Sequence, residues 1–190
     1  MYYVIQVAPG TEQKTETLIK ERVETDLYDR CFHPLRHVRK KFRGEWRDLH
    51  EKLMPGYVFI ASDAIADLYP ELRRVPALTK LLGRNEGEIF VPLAEKEADW
   101  LERITEGGIE AGLSRVAVAE GDTVTILSGP LTDMEGKIRK IHLHKRIAEV
   151  EVDFMNRKTV IHLGIELVTP GAMIPEKSKV QSCTIWTDKQ

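Results

Sequence analysis

Near the start of the chain, the apolar residues first form a strand-like run and then recur at helical spacing. Residues 2–7 are β-branched and aromatic and end at an Ala-Pro-Gly turn, which is typical of a strand followed by a tight turn. Apolar residues then recur near helical spacing, which predicts a helix over residues 11–25 with Thr11 as its N-cap. The chain therefore begins in strand-helix order.

Two extended polar arms follow, and their sequence predicts a β-hairpin. Residues 32–42 and 46–54 are separated by Arg43-Gly44-Glu45, whose glycine suits a tight turn. The order of elements, β-α-β-β-α-β-α, is typical of the ferredoxin-like split βαβ fold, an antiparallel sheet with helices on one face. The remaining predicted elements of this half are strands at 57–61, 78–82 and 88–91 and helices from about 63 to 72 and 94 to 104.

The pattern changes after residue 104. Residues 105–115 are rich in glycine and lack an apolar period, which predicts a flexible linker. Five short segments with period-two alternation then predict a small SH3-like barrel. These segments are 123–127, 136–142, 147–153, 158–163 and 166–168. We therefore predict an α+β protein with domains at residues 1–104 and 116–170 and a polar tail at 171–190.

Composition narrows the class of protein. The chain has 190 residues, with 28 Lys and Arg against 30 Asp and Glu, so it is not uniformly basic in the manner of a histone. Its two cysteines lie far apart, which indicates neither a disulfide framework nor a zinc site. No apolar segment approaches the roughly 20 residues of a membrane span and no signal peptide is visible. We expect a cytoplasmic protein that does not associate with membranes.

Positive charge is nevertheless concentrated in the predicted hairpin. Residues 30–52 contain eight basic and three acidic residues, which leaves a local net charge of +5. Such a field attracts phosphate, and an aromatic ring near the tip suits stacking on an unpaired base or contact with a protein. The alternative is a solvated edge whose charges only prevent aggregation. The hairpin basic patch consists of Arg39, Lys40, Lys41, Arg43, Trp46 and Arg47.

A second basic cluster lies in the predicted barrel. Residues 137–146 contain seven Lys, Arg and His side chains with no acidic residue between them. A turn of this kind suits RNA phosphates, although charges on solvated turns are the ordinary alternative for each single residue. The candidate RNA-binding residues are Lys137, Arg139, Lys140, His142, His144, Lys145, Arg146, Arg157 and Lys158.

Two segments resemble motifs of one family. Tyr2-Tyr3-Val4-Ile5-Gln6-Val7, followed by Met54-Pro55-Gly56-Tyr57-Val58-Phe59-Ile60, resembles the N-terminal (NGN) domain of the NusG family. Residues 120–131, together with Met134-Glu135-Gly136-Lys137-Ile138, resemble the KOW motif of that family. A KOW motif alone is shared with several ribosomal proteins, whereas both motifs in this order and spacing are specific.

The resemblance implies a transcription elongation factor that docks on RNA polymerase. In the family, the first motif binds the clamp helices of the β′ subunit. Aromatic and Met side chains are typical of protein-binding patches, and Gly56 supplies backbone freedom beside them. The alternative is that Tyr2 and Tyr57 are ordinary core residues. The implied polymerase-binding residues are Tyr2, Met54, Pro55, Gly56 and Tyr57, and the implied contacts with non-template DNA are Arg73 and Arg74.

Within the family, the basic hairpin, the basic turn and the segment 54–60 are most similar to the LoaP group of specialised paralogs. That similarity implies processive antitermination, with the KOW domain binding an RNA hairpin in the nascent leader. Met134 stands where general NusG proteins carry an aromatic that contacts a ribosomal protein or Rho, which puts both partners in doubt. Two alternatives stay open: a general NusG that couples polymerase to ribosome or Rho, and a ribosome-associated KOW protein that binds RNA.

No enzymatic constellation is found. Residues 129–137 resemble a P-loop superficially, yet Leu131 and Ile138 stand where that motif needs Gly and Ser or Thr. Cys31 and His33 share a strand face by parity, but no third group is identified that would orient them for catalysis. We expect no catalytic activity, no cofactor and no metal, so the protein is predicted to act by binding.

Overall fold

A computed structural model describes residues 1–76, 80–81, 92–118, 124–168 and 182–183. Within them the helices are α1 (Glu12–Arg22), α2 (Ile65–Leu72) and α3 (Glu95–Thr105). The strands of the first half are β1 (Tyr2–Gln6), β2 (Arg30–Phe32), β3 (Leu35–Phe42), β4 (Glu45–Lys52), β5 (Tyr57–Ala61) and β6 (Lys80–Leu81). Those of the second half are β7 (Glu110–Ala111), β8 (Ser114–Val118), β9 (Val124–Ser128), β10 (Ile138–His142), β11 (Ile147–Phe154), β12 (Arg157–Val168) and β13 (Ser182–Cys183).

The first sheet has the strand order β2-β5-β1-β6. β1 and β5 are antiparallel, with Tyr2 opposite Ala61 and Gln6 opposite Tyr57. Alternate side chains of these strands therefore point to opposite faces. On one face the core cluster joins strand residues such as Ile5 and Ile60 to residues of α1 and α2 such as Ile19. This arrangement confirms the predicted fold class, with helices packed on one face of an antiparallel sheet. The predicted strand at 88–91 lies outside the described residues.

The beginning of α1 differs from the predicted cap. The Thr11 hydroxyl donates to the Ala8 carbonyl at 2.7 Å instead of capping the helix, and α1 ends at Arg22. Glu12 is fully buried, and its carboxylate accepts hydrogen bonds from the backbone N–H of Gly10 at 2.9 Å and of Gly56 at 2.7 Å. A buried carboxylate is stabilised by such donors. The Glu12 side chain thus joins the turn before α1 to the turn before β5.

The β3–β4 hairpin forms as predicted, with pairing from Leu35 opposite Lys52 to Phe42 opposite Glu45. Its two loop residues, Arg43 and Gly44, have φ values of 50° and 93°. Positive φ at both loop positions is the geometry of a type I′ turn, which matches the twist of the strands.

One strand lies inside the predicted linker. β7 pairs in parallel with β3, with Leu35 opposite Glu110 and Arg36 opposite Ala111. Part of residues 105–115 is therefore held by ladder hydrogen bonds. The linker prediction missed this strand because two residues carry no measurable period.

The second half forms a sheet in the order β10-β11-β12-β8-β9-β13. β8 was not predicted, and the two predicted strands 158–163 and 166–168 are one continuous strand, β12. Gly164 lies inside β12 rather than ending a strand. A Cβ at this position would lie 2.1 Å from the His37 carbonyl oxygen, so the glycine permits a close backbone approach. Of the predicted tail, only Ser182–Cys183 is described, and it pairs with β9.

The chain divides into two compact units. The first comprises Met1–Pro34, Met54–Trp100 and Asp153–Arg157. The second comprises Leu35–Leu53, Leu101–Val152 and Lys158–Gln190, so the β3–β4 hairpin belongs to the second unit. The boundaries 1–104, 105–115, 116–170 and 171–190 remain predictions.

We expect Glu12→Gln to destabilise the fold, since the amide can accept only through its single oxygen and turns its NH2 group toward another donor. Losing a hydrogen bond to a buried charged group costs about 1.5–3 kcal/mol. Urea unfolding followed by circular dichroism measures the change in the free energy of unfolding. Glu21→Gln, at an exposed position of the same helix, is the matched control. Equal stability of the two variants would contradict the role assigned to the buried carboxylate.

Gly164→Ala should also be destabilising, because its methyl group would overlap the His37 carbonyl oxygen and the Leu113 side chain. Overpacking of this kind costs about 1–3 kcal/mol. Gly112→Ala is the control, because a Cβ there meets no atom within 4 Å. Thermal unfolding compares the two variants. An unchanged midpoint for Gly164→Ala would show that β12 and β3 can move apart at this point without loss of stability.

Candidate functional site

The face of the first sheet opposite the helices carries a row of aromatic rings. Tyr2 and Phe32 meet edge to face with ring centroids 6.1 Å apart, and Phe32 stacks on Phe59 at 5.9 Å. Phe154 continues the row, 5.9 Å from Phe59 and 5.2 Å from Tyr57. We call these five side chains, all within the first compact unit, the aromatic row. Tyr2 and Tyr57, at its ends, are half-buried, whereas its middle is buried.

The predicted polymerase-binding residues lie at and beside the ends of this row. Met54, which the family resemblance implied as a polymerase contact, is buried, with 4% of its surface exposed. Pro55 is exposed, and the backbone freedom expected of Gly56 is confirmed by its φ of 88°. Tyr2 and Tyr57 lie four strand positions apart along the ladder, or about 13 Å. The rings between them are buried, so the two tyrosines form separate, partly exposed contacts that the row joins beneath the surface.

The predicted DNA-contacting arginines follow the end of α2. Both Arg73 and Arg74 are exposed. Arg74 donates to Glu71 at 2.6 Å, and the guanidinium of Arg73 lies 6.0 Å from the centroid of the Tyr69 ring. Their contact with DNA remains a prediction, and Glu71 offsets part of the charge.

Ion pairs neutralise the basic residues nearer the base of the β3–β4 hairpin. Arg39 donates to Asp48 at 2.7 Å and to Glu166 at 2.6 Å, and Lys40 forms an ion pair with Glu51. The hydrogen bond from Arg39 holds the pKa of Asp48 below its ordinary value. These two members of the predicted patch therefore serve packing within the second unit as much as they attract a ligand.

The basic residues at the tip of the hairpin are less neutralised by acidic partners than those near its base. Lys41, Arg43 and Arg47 are exposed, and Arg47 lies 3.9 Å from Glu45 in a loose ion pair. Among the described residues, neither Lys41 nor Arg43 forms an ion pair. The positive field predicted for the whole hairpin is thus concentrated at its tip.

Trp46 connects the hairpin to the second basic cluster. The guanidinium of Arg146 lies over the Trp46 ring, 5.0 Å from its centroid. Arg146 has a positive φ of 58°, and its carbonyl oxygen accepts a hydrogen bond from Ile165 N–H at 2.9 Å. The sequence marked both side chains as candidates for nucleic-acid contact but held no signal that they touch.

The remaining residues of the second basic cluster fall into two groups, those exposed to solvent and those paired with an acidic residue. Lys137, His144 and Lys145 are exposed, and Arg157 is exposed within the first unit. Lys140 is half-buried.

Acidic neighbours neutralise other members of this cluster. Arg139 and Lys158 both pair with Glu151, the latter at 2.6 Å. His142 lies 2.8 Å from Glu149, which also lies 3.9 Å from His162. The structure therefore separates exposed basic residues from basic residues that are held by carboxylates one strand away.

The Cys31 and His33 pair is not arranged for nucleophilic catalysis. Burial raises the pKa of Cys31 to about 12, so its thiol is neutral at physiological pH. His33 Nδ1 lies 2.5 Å from a Glu16 oxygen. Among the described residues, no group of His, Cys, Asp and Glu could hold a metal ion, and no helix is long and apolar enough to cross a membrane.

Comparisons with known proteins agree with both motifs. The family model described as transcription termination factor NusG matches residues 1–102, and the KOW motif model matches residues 120–153. The transcription termination/antitermination protein NusG of Halalkalibacterium halodurans is 28% identical over 167 residues, which cover 85% of this chain and 93% of that protein. The protein of the same description from Thermus thermophilus is 28% identical over 179 residues, covering 88% and 96%.

A solved structure agrees as well. It is titled as a domain interaction in Thermotoga maritima NusG and matches with a TM-score of 0.55 and 26% identity, covering 86% of this chain and 92% of that one. The sheet with helices on one face, the following β-rich region and both family models lead to one assignment. The chain belongs to the NusG family of transcription factors.

Proposed function

We propose that this protein is an antitermination factor that binds RNA polymerase through Tyr2 and Tyr57, at the ends of the aromatic row, and nascent leader RNA through the exposed basic residues of 137–146. The main support is the pair of half-buried tyrosines at the ends of a row of rings on the sheet face opposite the helices. Tyrosine combines a large apolar area with a polar tip and is enriched in protein interfaces.

The β′ clamp helices are the proposed docking partner. Pro55 and Tyr57 offer adjacent apolar surface at the start of β5, and the hydrogen bond that the Gly56 N–H donates to the Glu12 carboxylate holds that turn in place. The Phe154 ring meets Tyr57, so contact over the full Tyr57 ring requires Phe154 to move away. The clamp therefore competes with a ring of the chain itself.

Binding alone is enough to promote elongation. A factor that contacts the closed clamp of an elongating polymerase more strongly than the open clamp of a paused one shifts the population toward the closed state. Only the difference between the two binding free energies matters, and about 1.4 kcal/mol changes the ratio tenfold. No catalytic group is needed for this effect.

Contact with RNA supplies the proposed selectivity. Lys137, His144 and Lys145 are open to solvent and suit phosphate contacts. A second attachment to the same transcribing complex raises the effective concentration of the factor at leaders that carry the RNA hairpin. Arg73 and Arg74 are proposed as additional contacts with non-template DNA.

A general NusG role is the second candidate, and the names of the two relatives favour it, since both are termination/antitermination proteins. Coupling to the ribosome or Rho through position 134 would need a side chain that a partner can reach. Met134 is only 2% exposed. Its burial favours the specialised role over coupling at this position.

Tyr57→Ala should weaken binding to core RNA polymerase about tenfold or more, the loss typical of an interface aromatic. The single variant is preferred to one that also changes Met54, because replacing the buried Met54 would cost stability. Tyr69→Ala is the control, since Tyr69 is also half-buried but packs on the helix side of the sheet. Biolayer interferometry measures both affinities, and wild-type affinity for Tyr57→Ala would remove the docking proposal.

Replacing Lys137 and Lys145 together by Ala should lower the affinity for leader RNA and flatten its dependence on salt. Each lost phosphate contact reduces the slope of log K against log salt by about 0.7–0.9. Lys158→Ala is the control, because Lys158 already pairs with Glu151. Fluorescence anisotropy at several salt concentrations gives the slopes. The same slope for the double variant and the wild type would mean that the two lysines are only solvated.

A further inference from the structure

The hairpin tip and the turn at residues 143–146 meet within the second compact unit. The strand register places Lys41 directly opposite Trp46, so their side chains share one face of the hairpin. Arg146 lies over the Trp46 ring. One exposed indole is therefore flanked by two cations that come from parts of the sequence about a hundred residues apart.

One donor nitrogen of the Arg146 guanidinium lacks a partner among the described residues. This atom, Nη1, is buried. Burial lowers the pKa of Arg146, and the neighbouring positive charge of Arg39 lowers it further. The unsatisfied buried donor disfavours the present position, whereas the nearby carboxylate of Glu166 opposes the like charge of Arg39. An anionic acceptor would stabilise the guanidinium elsewhere.

The other aromatic residue of the tip has different surroundings. Phe42 is 46% exposed and Trp46 is 41% exposed, so exposure does not distinguish them. Phe42 pairs with Glu45 and points to the opposite face of the hairpin from Lys41 and Trp46. Lys40 and Arg47 share the face of Phe42, but of the two rings it is Trp46 that has a guanidinium lying over it in the described residues.

We propose that Trp46 is a stacking site for one unpaired base of an RNA strand, with Arg146 leaving the ring to bind an adjacent phosphate. Lys41 and Arg43 contact the phosphates on the other side of that base. Stacking on an aromatic ring accepts any base, and surrounding cations follow the backbone, which is the usual design of single-strand sites. An acidic peptide would satisfy the cations but would leave the indole face without a planar partner.

The exchange favours the base. In the free chain Arg146 covers the Trp46 ring, and a stacked nucleobase would replace that cation–π contact with one of similar or greater strength. When the base replaces the guanidinium, the unsatisfied donor gains a charged acceptor. This inference rests on the proposed RNA binding and extends it from residues 137–146 to the hairpin tip.

The test uses the full chain and two RNAs of equal length, a stem-loop with an unpaired loop and a fully paired duplex, with anisotropy as the measurement. We expect the wild type to prefer the stem-loop. Trp46→Ala should lower stem-loop affinity about tenfold, the loss of one stacked base, without changing duplex affinity or the salt slope. Trp46→Phe should retain most of the affinity, because a ring remains.

Phe42→Ala is the matched control and should bind both RNAs as the wild type does. Tryptophan fluorescence gives a second readout, since the quenching caused by RNA should decrease when Trp46 is replaced by Phe. Equal losses for Trp46→Ala and Phe42→Ala, or unchanged quenching in Trp46→Phe, would overturn the stacking site. Tighter binding of single-stranded DNA of the loop sequence would overturn its assignment to RNA.

Failure of the inference can be told apart from failure of the proposed function. A wild-type chain that binds neither RNA removes the RNA-binding role and the stacking site together. A wild-type chain that binds the stem-loop, with Trp46→Ala equal to it, removes the stacking site alone. The thermal midpoint of each variant, compared with the wild type, shows whether an affinity change reflects altered folding.

Discussion

The pairing of β1 with β5 is the constraint on which the described site depends, because both strands are apolar on both faces. One face supplies Ile5 and Ile60 to the core beneath α1 and α2. The same register sends Tyr2, Phe59 and Tyr57 to the other face, where the aromatic row forms. A slip by one residue would exchange the two sets and remove the core and the candidate surface together. Stability and binding are therefore set by the same ladder of hydrogen bonds.

Charge in the second unit is organised by local pairing rather than by composition. Carboxylates one strand away hold Arg39, Lys40, Arg139 and Lys158, whereas the hairpin tip and the turn near His144 stay open. A count of basic residues overstates the field, because a paired cation contributes little at a distance. The cations left open mark where an anionic ligand gains most.

Sequence patterns were sufficient to place elements in which the apolar spacing is sustained over several residues, and turns that require a particular residue type. The helix α2 and the hairpin loop at Gly44 lie where periodicity and turn preference put them. Patterns failed where tertiary contact decides: β7 has two residues, and Gly164 accommodates a neighbouring backbone rather than a turn.

The candidate site was predictable only in part for the same reason. Motif resemblance marked Tyr2 and Tyr57, but Met54 is buried, and two of the rings that join the tyrosines, Phe32 and Phe154, lie on strands outside both motif segments. Likewise, the alternation of side chains along one strand gives no information on the contact between Trp46 and Arg146. A local sequence pattern shows which residue types are present. It does not show which of them touch, because these contacts join residues that are far apart in the sequence and are brought together only by the fold.

The close passage of β12 under the hairpin has a consequence for engineering. Because the backbone at Gly164 lies against that of His37, this crossing has no room for a side chain. The far end of the hairpin, by contrast, is exposed, and its limit is the positive φ at Arg43 and Gly44, which favours Gly, Asn and Asp at those two positions. To change the binding specificity of the protein, a library can vary the exposed residues at the far end of the hairpin. Gly164 and the backbone around His37 are kept unchanged in such a library.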